Sequence, residues 1–196
     1  MQQGEQHSED ARDKELMLLL CHEKDEKAMR ELIERHQKAV YAFAYRMMSN
    51  TDDAEDITQR TFIRVWKAAH SYEPDAQFTT WLFTITKNLV FNESRRRKRK
   101  PTFSLDEHEE TSPALAQATS TTTSPQDALL HQELSAQVDK ALEALPEKAR
   151  MAVQLRRFQN MSYEEIAHIL DTSISATKSL LFRARQQLKQ TLSRYL

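Results

Sequence analysis

The chain has 196 residues, of which one is glycine, five are proline and one is cysteine. So little glycine and proline argues against a loop-rich β protein, and a single cysteine excludes an intrachain disulfide, as expected in a reducing cytosol. The formal net charge of −1 looks unpromising for a nucleic-acid-binding protein. Helix formers in helical periodicity fill most segments, and we therefore expect an all-α protein.

The charge is strongly segregated along the chain. Residues 1–94 carry 12 basic and 17 acidic side chains, and residues 95–100 read RRRKRK. Residues 101–135 contain six acidic and no basic side chains, whereas residues 136–196 contain 10 basic and 6 acidic ones. Such segregation indicates polyanion-binding surfaces that the net charge conceals. Because there is no signal peptide and no apolar run near the ~20 residues of a membrane span, we expect a cytoplasmic protein without membrane contact.

The first half of the chain predicts three helices. Residues 1–12 are polar, and we expect them to be frayed. Helices follow over Asp13–His22, Asp25–Ser49 and Asp53–His70, the last with Asp52 and Glu55 as a candidate capping box.

The third predicted helix has two distinct sides. Ile57, Thr61 and Val65 step toward a core. The pattern alone favours a solvated surface for the polar side, which consists of Asp56, Gln59, Arg60, Ile63 and Lys67.

A loop, SYEPDAQ, and then a fourth helix beginning near Thr79 come next. A second stripe on this helix, Thr84, Asn88, Phe91 and Arg95, mixes amide, aromatic and cationic groups. Single-stranded nucleic acid requires such groups for base edges, stacking and phosphates. Trp81 directly precedes the core position of Leu82 and is interpreted as core. The run RRRKRK alone fits a solvated tail or a generic polyanion-binding patch. Its position at the end of a helix that carries Asn88 and Asn92 favours a nucleic-acid-binding function.

Residues 101–126 are rich in Ser and Thr, acidic, and free of Lys and Arg, which predicts a flexible linker. The linker divides the chain into a first domain over residues 13–100 and a second over residues 127–196. In the second domain, helices are predicted over residues 126–145 and 147–158, with Pro146 at the first helical position of the latter.

The stretch over residues 162–188 has the layout of a helix-turn-helix. Ser162 and Glu165 form a capping box, and Ser173 or Ser175 can cap the second helix. That helix carries an inner apolar face and a second, basic face that includes Lys178, which suits a reader of duplex DNA. The alternative is an ordinary solvated amphipathic helix in a bundle.

No catalytic constellation is present in the sequence. There is no glycine-rich phosphate loop, HExxH or C-x-x-C motif, and the histidines are scattered. We therefore expect neither an enzyme nor a bound cofactor or metal.

Four segments follow one another in a fixed order: DAEDITQRTFIRVWKA, FTTWLFTITKNLVFNESRRRKR, LPEKARMAVQLRRFQNMSYEEIAHIL and SATKSLLFRARQQL. In this order and spacing the chain resembles, over residues 15–192, the extracytoplasmic-function (ECF) group of bacterial RNA polymerase sigma factors in the sigma-70 family. The resemblance implies a region 2 helical bundle and a region 4 helix-turn-helix joined by the acidic linker. It also implies a promoter-specificity subunit that binds core polymerase, recognises −35 and −10 elements and helps to open the DNA.

The resemblance further implies three sets of contact residues. The D-x-x-Q helix of the family binds the β′ clamp helices, which here implicates Asp56, Gln59, Arg60 and Ile63. The −10 element is captured by the loop before the tryptophan helix and by that helix, implicating Ser71, Tyr72, Lys87, Asn88, Asn92, Arg95 and Arg96. The helix-turn-helix reads the −35 element, implicating Ser175, Thr177, Lys178, Ser179, Phe182 and Arg183.

The implied partners are core RNA polymerase, through its β′ clamp helices and β flap, and promoter DNA. Members of the family are usually held inactive by an anti-sigma factor, and the sequence leaves open whether this chain has one. Two other classes stay as alternatives, namely a free-standing dimeric DNA-binding regulator and a structural helical adaptor. The first domain argues against the regulator, because a plain repressor does not need it, and the basic surfaces argue against the adaptor.

Overall fold

The computed structural model describes residues 2–73, 77–99, 134 and 136–193, with side chains from Asp10 onward. The first module consists of α1 (Gln2–Glu23), α2 (Glu26–Met48), α3 (Thr51–Ala68), a 3-10 turn (Ala69–Ser71) and α4 (Phe78–Arg99). The second consists of α5 (residues 136–143), α6 (Glu147–Phe158), α7 (Tyr163–Ile169) and α8 (Ile174–Leu192). Every regular element of the described part of the chain is helical, which confirms the all-α prediction. The predicted linker, residues 101–126, lies outside the described residues.

Short polar side chains cap the starts of α2, α3, α7 and α8. Ser162 and Glu165 form the predicted capping box of α7, and Ser173, not Ser175, caps α8 by accepting from the Ala176 amide. The capping box expected at Asp52 is wrong. The N-terminal cap of α3 is Asn50, which has extended backbone angles and whose side chain accepts a hydrogen bond from the Asp53 amide at 2.9 Å.

Helix ends in this chain use non-glycine residues in the left-handed region, because the only glycine is Gly4. Lys24, Ser49, Asn160 and Asp171 have φ values of 50–52°. Such a backbone costs about 1–3 kcal/mol for a residue with a Cβ atom, so the surrounding packing must hold it. Asp171 supplies the sharp turn of the helix-turn-helix, where the sequence offers no glycine.

The N-terminal helix α1 begins at Gln2, so the expectation that residues 1–12 are frayed is wrong. Leu16, Met17 and Leu20 anchor it in the core. Buried Asp13 accepts hydrogen bonds from Arg35 and His36 of α2, each at 2.8 Å. A helix nucleated by such packing extends at little further cost, which explains why it continues into a polar segment.

Two hydrophobic clusters form most of the core. One lies within the first module, joins α1, α2, α3 and α4, and includes Leu32, Val65 and Phe78, with Trp81 packed against it as expected. The other contains side chains of both modules, namely Phe43, Phe83, Leu89 and Val90 from the first and Met151, Leu155, Ile166 and Ile169 from the second. The two modules therefore share a core and pack directly against each other.

Polar contacts border this shared core, and we call them the seam. Thr80 of α4 donates a hydrogen bond to Glu165 of α7 at 3.0 Å, and Ser49 donates to Glu143 of α5 at 2.6 Å. The Arg150 guanidinium donates to the Met47 carbonyl oxygen at 3.0 Å. In addition, the Arg46 guanidinium lies 3.8 Å from the ring centroid of Phe158. The Arg150 guanidinium thus lies at the C-terminal turn of α2, and the Arg46 guanidinium lies over the exposed ring of Phe158. Both positions are favourable for a cation.

Candidate nucleic-acid and protein interfaces

The outward side of α3 forms a stripe of exposed residues. Asp56, Gln59 and Ile63 lie on it, and 51% of Ile63 is exposed. Trp66 continues the stripe with 37% exposure, although sequence reasoning did not select it. The signal was available, because residues 56, 59, 63 and 66 step by three, four and three. Two large exposed apolar side chains beside polar ones are typical of a protein-binding surface.

Arg60 lies at the border of this stripe and is already paired. Its guanidinium donates to the Asp56 carboxylate at 2.8 Å, one helical turn earlier. An exposed pair of this spacing contributes only about 0.3–0.5 kcal/mol, so a partner can displace it at low cost.

One edge of α4 is open to solvent. Asn88, Asn92, Arg95 and Arg96 are all exposed on this helix. Arg96 is nevertheless held by the buried Glu93 carboxylate, which accepts from its Nη2 at 2.6 Å and from its Nε at 2.9 Å. Among the residues that the structure describes, no acidic side chain pairs with Arg95, so this edge presents amide groups and an unpaired guanidinium, a combination suited to base edges and phosphates.

Tyr72 lies inside the first module and not on the surface. It exposes 7% of its area and meets Phe78 and Trp81 in edge-on ring contacts, with centroids 6.3 and 5.5 Å away. Burial, together with the carboxylates of Asp13 and Asp10, raises the pKa of Tyr72 to about 12. The structure therefore does not bring Tyr72 to the exposed edge of α4, whereas neighbouring Ser71 is exposed.

Lys87, another residue of the predicted −10 set, is covered by the second module. It exposes 9% of its area. Burial lowers the pKa of its ammonium group, Asp171 of the helix-turn-helix attracts the charge, and Lys148 repels it. Reaching DNA from this position requires the modules to separate.

The recognition face of α8 is exposed over most of its predicted residues. Ser175, Lys178, Ser179, Phe182 and Arg183 all reach solvent, and 61% of Phe182 is exposed. Thr177 is the exception, since it is fully buried on the inner side of the helix together with Leu181 and Ala184. It therefore does not lie on the face formed by the others.

An open depression of about 490 Å³ lies against this face. It is lined by Tyr163, Lys178, Ser179, Leu181, Phe182, Arg183 and Arg185. Tyr163 was not predicted from the sequence. Two cations lie near its ring, with the Arg156 guanidinium 5.2 Å and the Lys178 ammonium 5.8 Å from its centroid. These cation–π contacts join three helices, so no local spacing could have revealed them.

Within the described residues, no helix is both long enough and apolar enough to cross a membrane. The same residues contain no group of His, Cys, Asp and Glu side chains that could hold a metal ion.

Residues 32–100 match the family model of sigma-70 region 2, and residues 135–188 match that of sigma-70 region 4. The ECF RNA polymerase sigma factor SigE of Mycolicibacterium smegmatis is 37% identical over 84% of this chain, which spans 62% of that protein's length. The ECF RNA polymerase sigma factor SigW of Bacillus subtilis is 31% identical over 86% of this chain and 90% of its own length. Among solved structures, the sigma factor RpoE of Bartonella quintana, in complex with the anti-sigma factor NepR, has a TM-score of 0.66 at 29% identity. That alignment covers 85% of this chain and 98% of RpoE.

Proposed function

This chain belongs to the ECF group of RNA polymerase sigma factors, and on that premise we propose which of its surfaces meet the polymerase and the promoter. As a member of this family it binds core RNA polymerase and directs it to promoters for transcription initiation. The division of this work among its residues is the proposal.

The polymerase contact is assigned to the stripe on α3. Asp56, Gln59 and Ile63 form its polar and apolar parts, and Trp66 extends it. A β′ helix lying across the stripe would bury the two large apolar side chains, which are the kind of residue that dominates binding energy. Arg60 would exchange its pairing with Asp56 for a contact with the partner.

The −10 contact is assigned to the exposed side of α4 that carries Asn88, Asn92 and Arg95, and to the segment before this helix. Asn88 and Asn92 are suited to the edges of unpaired bases, and Arg95 to a phosphate. Ser71 is exposed at the start of this surface. Tyr72 supports it from inside through its ring contacts, and Lys87 joins it only when the modules separate.

The −35 contact is assigned to the exposed face of α8. Lys178 and Arg183 would meet phosphates, while Ser175, Ser179 and Phe182 would face base edges in the major groove. Thr177 would act from inside by fixing the helix, and Tyr163 would hold Lys178 and Arg156 in place.

One observation supports this division above the others. The stripe on α3, the edge of α4 and the face of α8 are exposed sides of helices whose opposite sides build the core. Three separate surfaces are what a protein needs to hold a polymerase, an opened strand and a duplex at the same time.

Run-off transcription with purified core polymerase and promoter fragments tests the proposal. We expect promoter-specific transcripts with the wild-type chain and about a tenfold loss of core affinity for Gln59→Ala. Arg64→Ala is the matched control, because Arg64 is exposed on α3 but points away from Gln59. Loss of core affinity in both variants, or in neither, would contradict the assignment.

The same assay separates this function from that of a free-standing regulator. Lys178→Ala and Arg183→Ala should weaken −35 binding and each lower the salt dependence by about one phosphate contact, with core binding unchanged. Lys140→Ala removes an exposed cation of α5 and is the control. Specific DNA binding without any core-dependent transcript would favour the regulator.

An anti-sigma partner would act on the seam. RpoE of Bartonella quintana was solved with the anti-sigma factor NepR, and its fold matches both modules of this chain. A partner that bridges the two modules would stabilise the packed arrangement and keep Lys87 covered. Protection of seam amides from hydrogen exchange on addition of the partner would support this role.

A further inference from the structure

The basic run that begins at Arg95 forms the end of α4, and its ion pairs divide its cations into two groups. Three of its cations already have acidic partners within the protein. Arg96 pairs with Glu93 of the same helix, Arg97 with Asp53 at the start of α3, and Lys98 with Glu147 of the second module at 3.5 Å. The run looks like one basic patch in the sequence, but three of its cations are engaged in ion pairs within the protein.

Arg95 and Arg99 are the two remaining cations of the described part of this run. Both are exposed, and no ionic partner lies near them among residues 2–73, 77–99 and 136–193. Asn88, Asn92, Arg95 and Arg99 step by four, three and four, so they share one side of the helix. We call this set the open edge; it extends the predicted −10 surface by Arg99.

Arg97 lies on the opposite side of the helix from Arg95 and Arg99, two residues from each, at a turn of about 200°. In addition to its ion pair with Asp53, its Nη1 donates to the Met48 carbonyl oxygen at 3.3 Å. Met48 ends α2, and its carbonyl belongs to the negative end of that helix. One guanidinium thus ties the C-terminal part of α4 to both α2 and α3.

We propose that Arg97 is a positioning residue, which fixes the rotation of α4 through Asp53 and Met48 so that Arg95 and Arg99 face promoter DNA. The inference rests on the proposed function, because it assumes that the open edge binds DNA. Arg99 is in turn a phosphate contact, and Arg97 is not one. Without the tie, the last turns of α4 are free to fray and the two cations lose their common direction.

The alternative is that Arg97 contacts DNA itself and that Asp53 competes with the DNA for it. The two hypotheses predict opposite effects of Asp53→Asn on promoter binding. If Arg97 acts through Asp53, the substitution weakens promoter binding as Arg97→Met does. If Arg97 binds phosphate, releasing it from Asp53 tightens promoter binding.

The experiment uses holoenzyme formed from core polymerase and the full chain. Its affinity for a fluorescent forked promoter with a single-stranded −10 element is measured over a series of salt concentrations. Arg95→Ala and Arg99→Ala should each lower the salt slope by about one. Arg97→Met and Asp53→Asn should each weaken binding by about five- to tenfold. The exchange Asp53→Arg with Arg97→Asp restores the pair with α3 but not the hydrogen bond to the Met48 carbonyl, so it should recover only part of that loss and bind more tightly than Arg97→Asp alone.

Arg12→Gln is the matched control. It removes an arginine that joins two helices of the same module through Glu31 at 2.8 Å but does not touch α4. It should leave promoter affinity within twofold of wild type. Core affinity and thermal unfolding, measured for each variant, identify a folding defect; if Arg97→Met unfolds, Asp53→Asn and the exchange variant still decide.

Tighter binding by Asp53→Asn, or unchanged binding by Arg97→Met, would overturn the positioning role. An unchanged salt slope for Arg99→Ala would overturn its contact with phosphate. If wild-type holoenzyme does not bind the promoter at all, the proposed function fails instead, so the two failures are distinguishable.

Discussion

The hydrogen bond between Thr80 and Glu165 gives the most direct test of the packed arrangement. Thr80 is buried on α4, and its hydroxyl donates to Glu165 Oε1 at 3.0 Å. The other carboxylate oxygen, Oε2, accepts from the Ser162 amide at 2.8 Å and completes the capping box of α7. One side chain therefore both caps the first helix of the helix-turn-helix and holds that helix to the first module.

Thr80→Val removes the donor with almost no change of shape. A hydrogen bond to a charged group contributes about 1.5–3 kcal/mol, and the partial exposure of Glu165 lowers this contribution to about 1–2 kcal/mol. That free energy changes the ratio of packed to separated modules by about five- to thirtyfold. The capping box stays intact, because Glu165 Oε2 and Ser162 are untouched.

Single-molecule fluorescence energy transfer measures this ratio. Dyes are attached to cysteines introduced at the exposed positions Lys38 and Gln190 in a Cys21→Ser background. Thr84→Val is the matched control, since Thr84 lies one turn further along α4 and its hydroxyl donates to the Thr80 carbonyl of the same helix at 2.8 Å. We expect the low-transfer population to grow in Thr80→Val only. Equal populations in the two variants would refute the reasoning.

Three further predictions follow from buried groups. Lys87→Met should raise the free energy of unfolding, because it removes a cation that burial disfavours, and should weaken binding of a single-stranded −10 oligonucleotide to holoenzyme. The raised pKa of Tyr72, about 12 against the usual 10.0, means that the folded state favours the neutral phenol. The free energy of unfolding should therefore be unaffected by this group below pH 10 and fall by about 2–3 kcal/mol between pH 10 and 12, and Tyr72→Phe, compared by urea titration, should lack that part of the decline. Phe83→Ala should cost about 3–5 kcal/mol in urea unfolding, because Phe83 is 1% exposed and meets Phe43 edge-on at 5.3 Å. Phe182→Ala, at 61% exposure, should cost under about 0.5 kcal/mol, and similar losses in both would contradict this account.

Local patterns in the sequence were sufficient for the order of the helices and for which residues share an exposed side of a helix. Ser162 and Glu165 identify the start of α7 because a capping box needs only residues three apart. Asp56, Gln59 and Ile63 are exposed on one side of α3, and Lys178, Ser179 and Phe182 on one side of α8, as helical spacing predicts. Helical spacing also places Trp66 on the exposed side of α3, with 37% of its area exposed.

The contact residues implied by the resemblance are misplaced where a second element decides whether a side chain is covered. Tyr72 and Lys87 look like surface groups in the sequence, but aromatic packing covers the first and the second module covers the other. Thr177 fits both the inner stripe and the recognition motif, and the packing of α8 against its neighbours places it inside. Because a helix has several faces, periodicity shows which residues share a face but not which face meets the core.

The resemblance of its motifs identified the family. By itself, the sequence also determined the all-α class, the order of the helices and which residues share a helical face. These depend on interactions within one or two helical turns, which the order of residues specifies. Only the tertiary structure decided that the two modules pack on a shared core, that Thr80 meets Glu165, and that Arg97 and Lys98 pair with Asp53 and Glu147, whereas Arg95 and Arg99 have no acidic partner among the described residues. Those contacts join residues far apart in the chain, and their partners are selected by how the helices pack rather than by any local pattern.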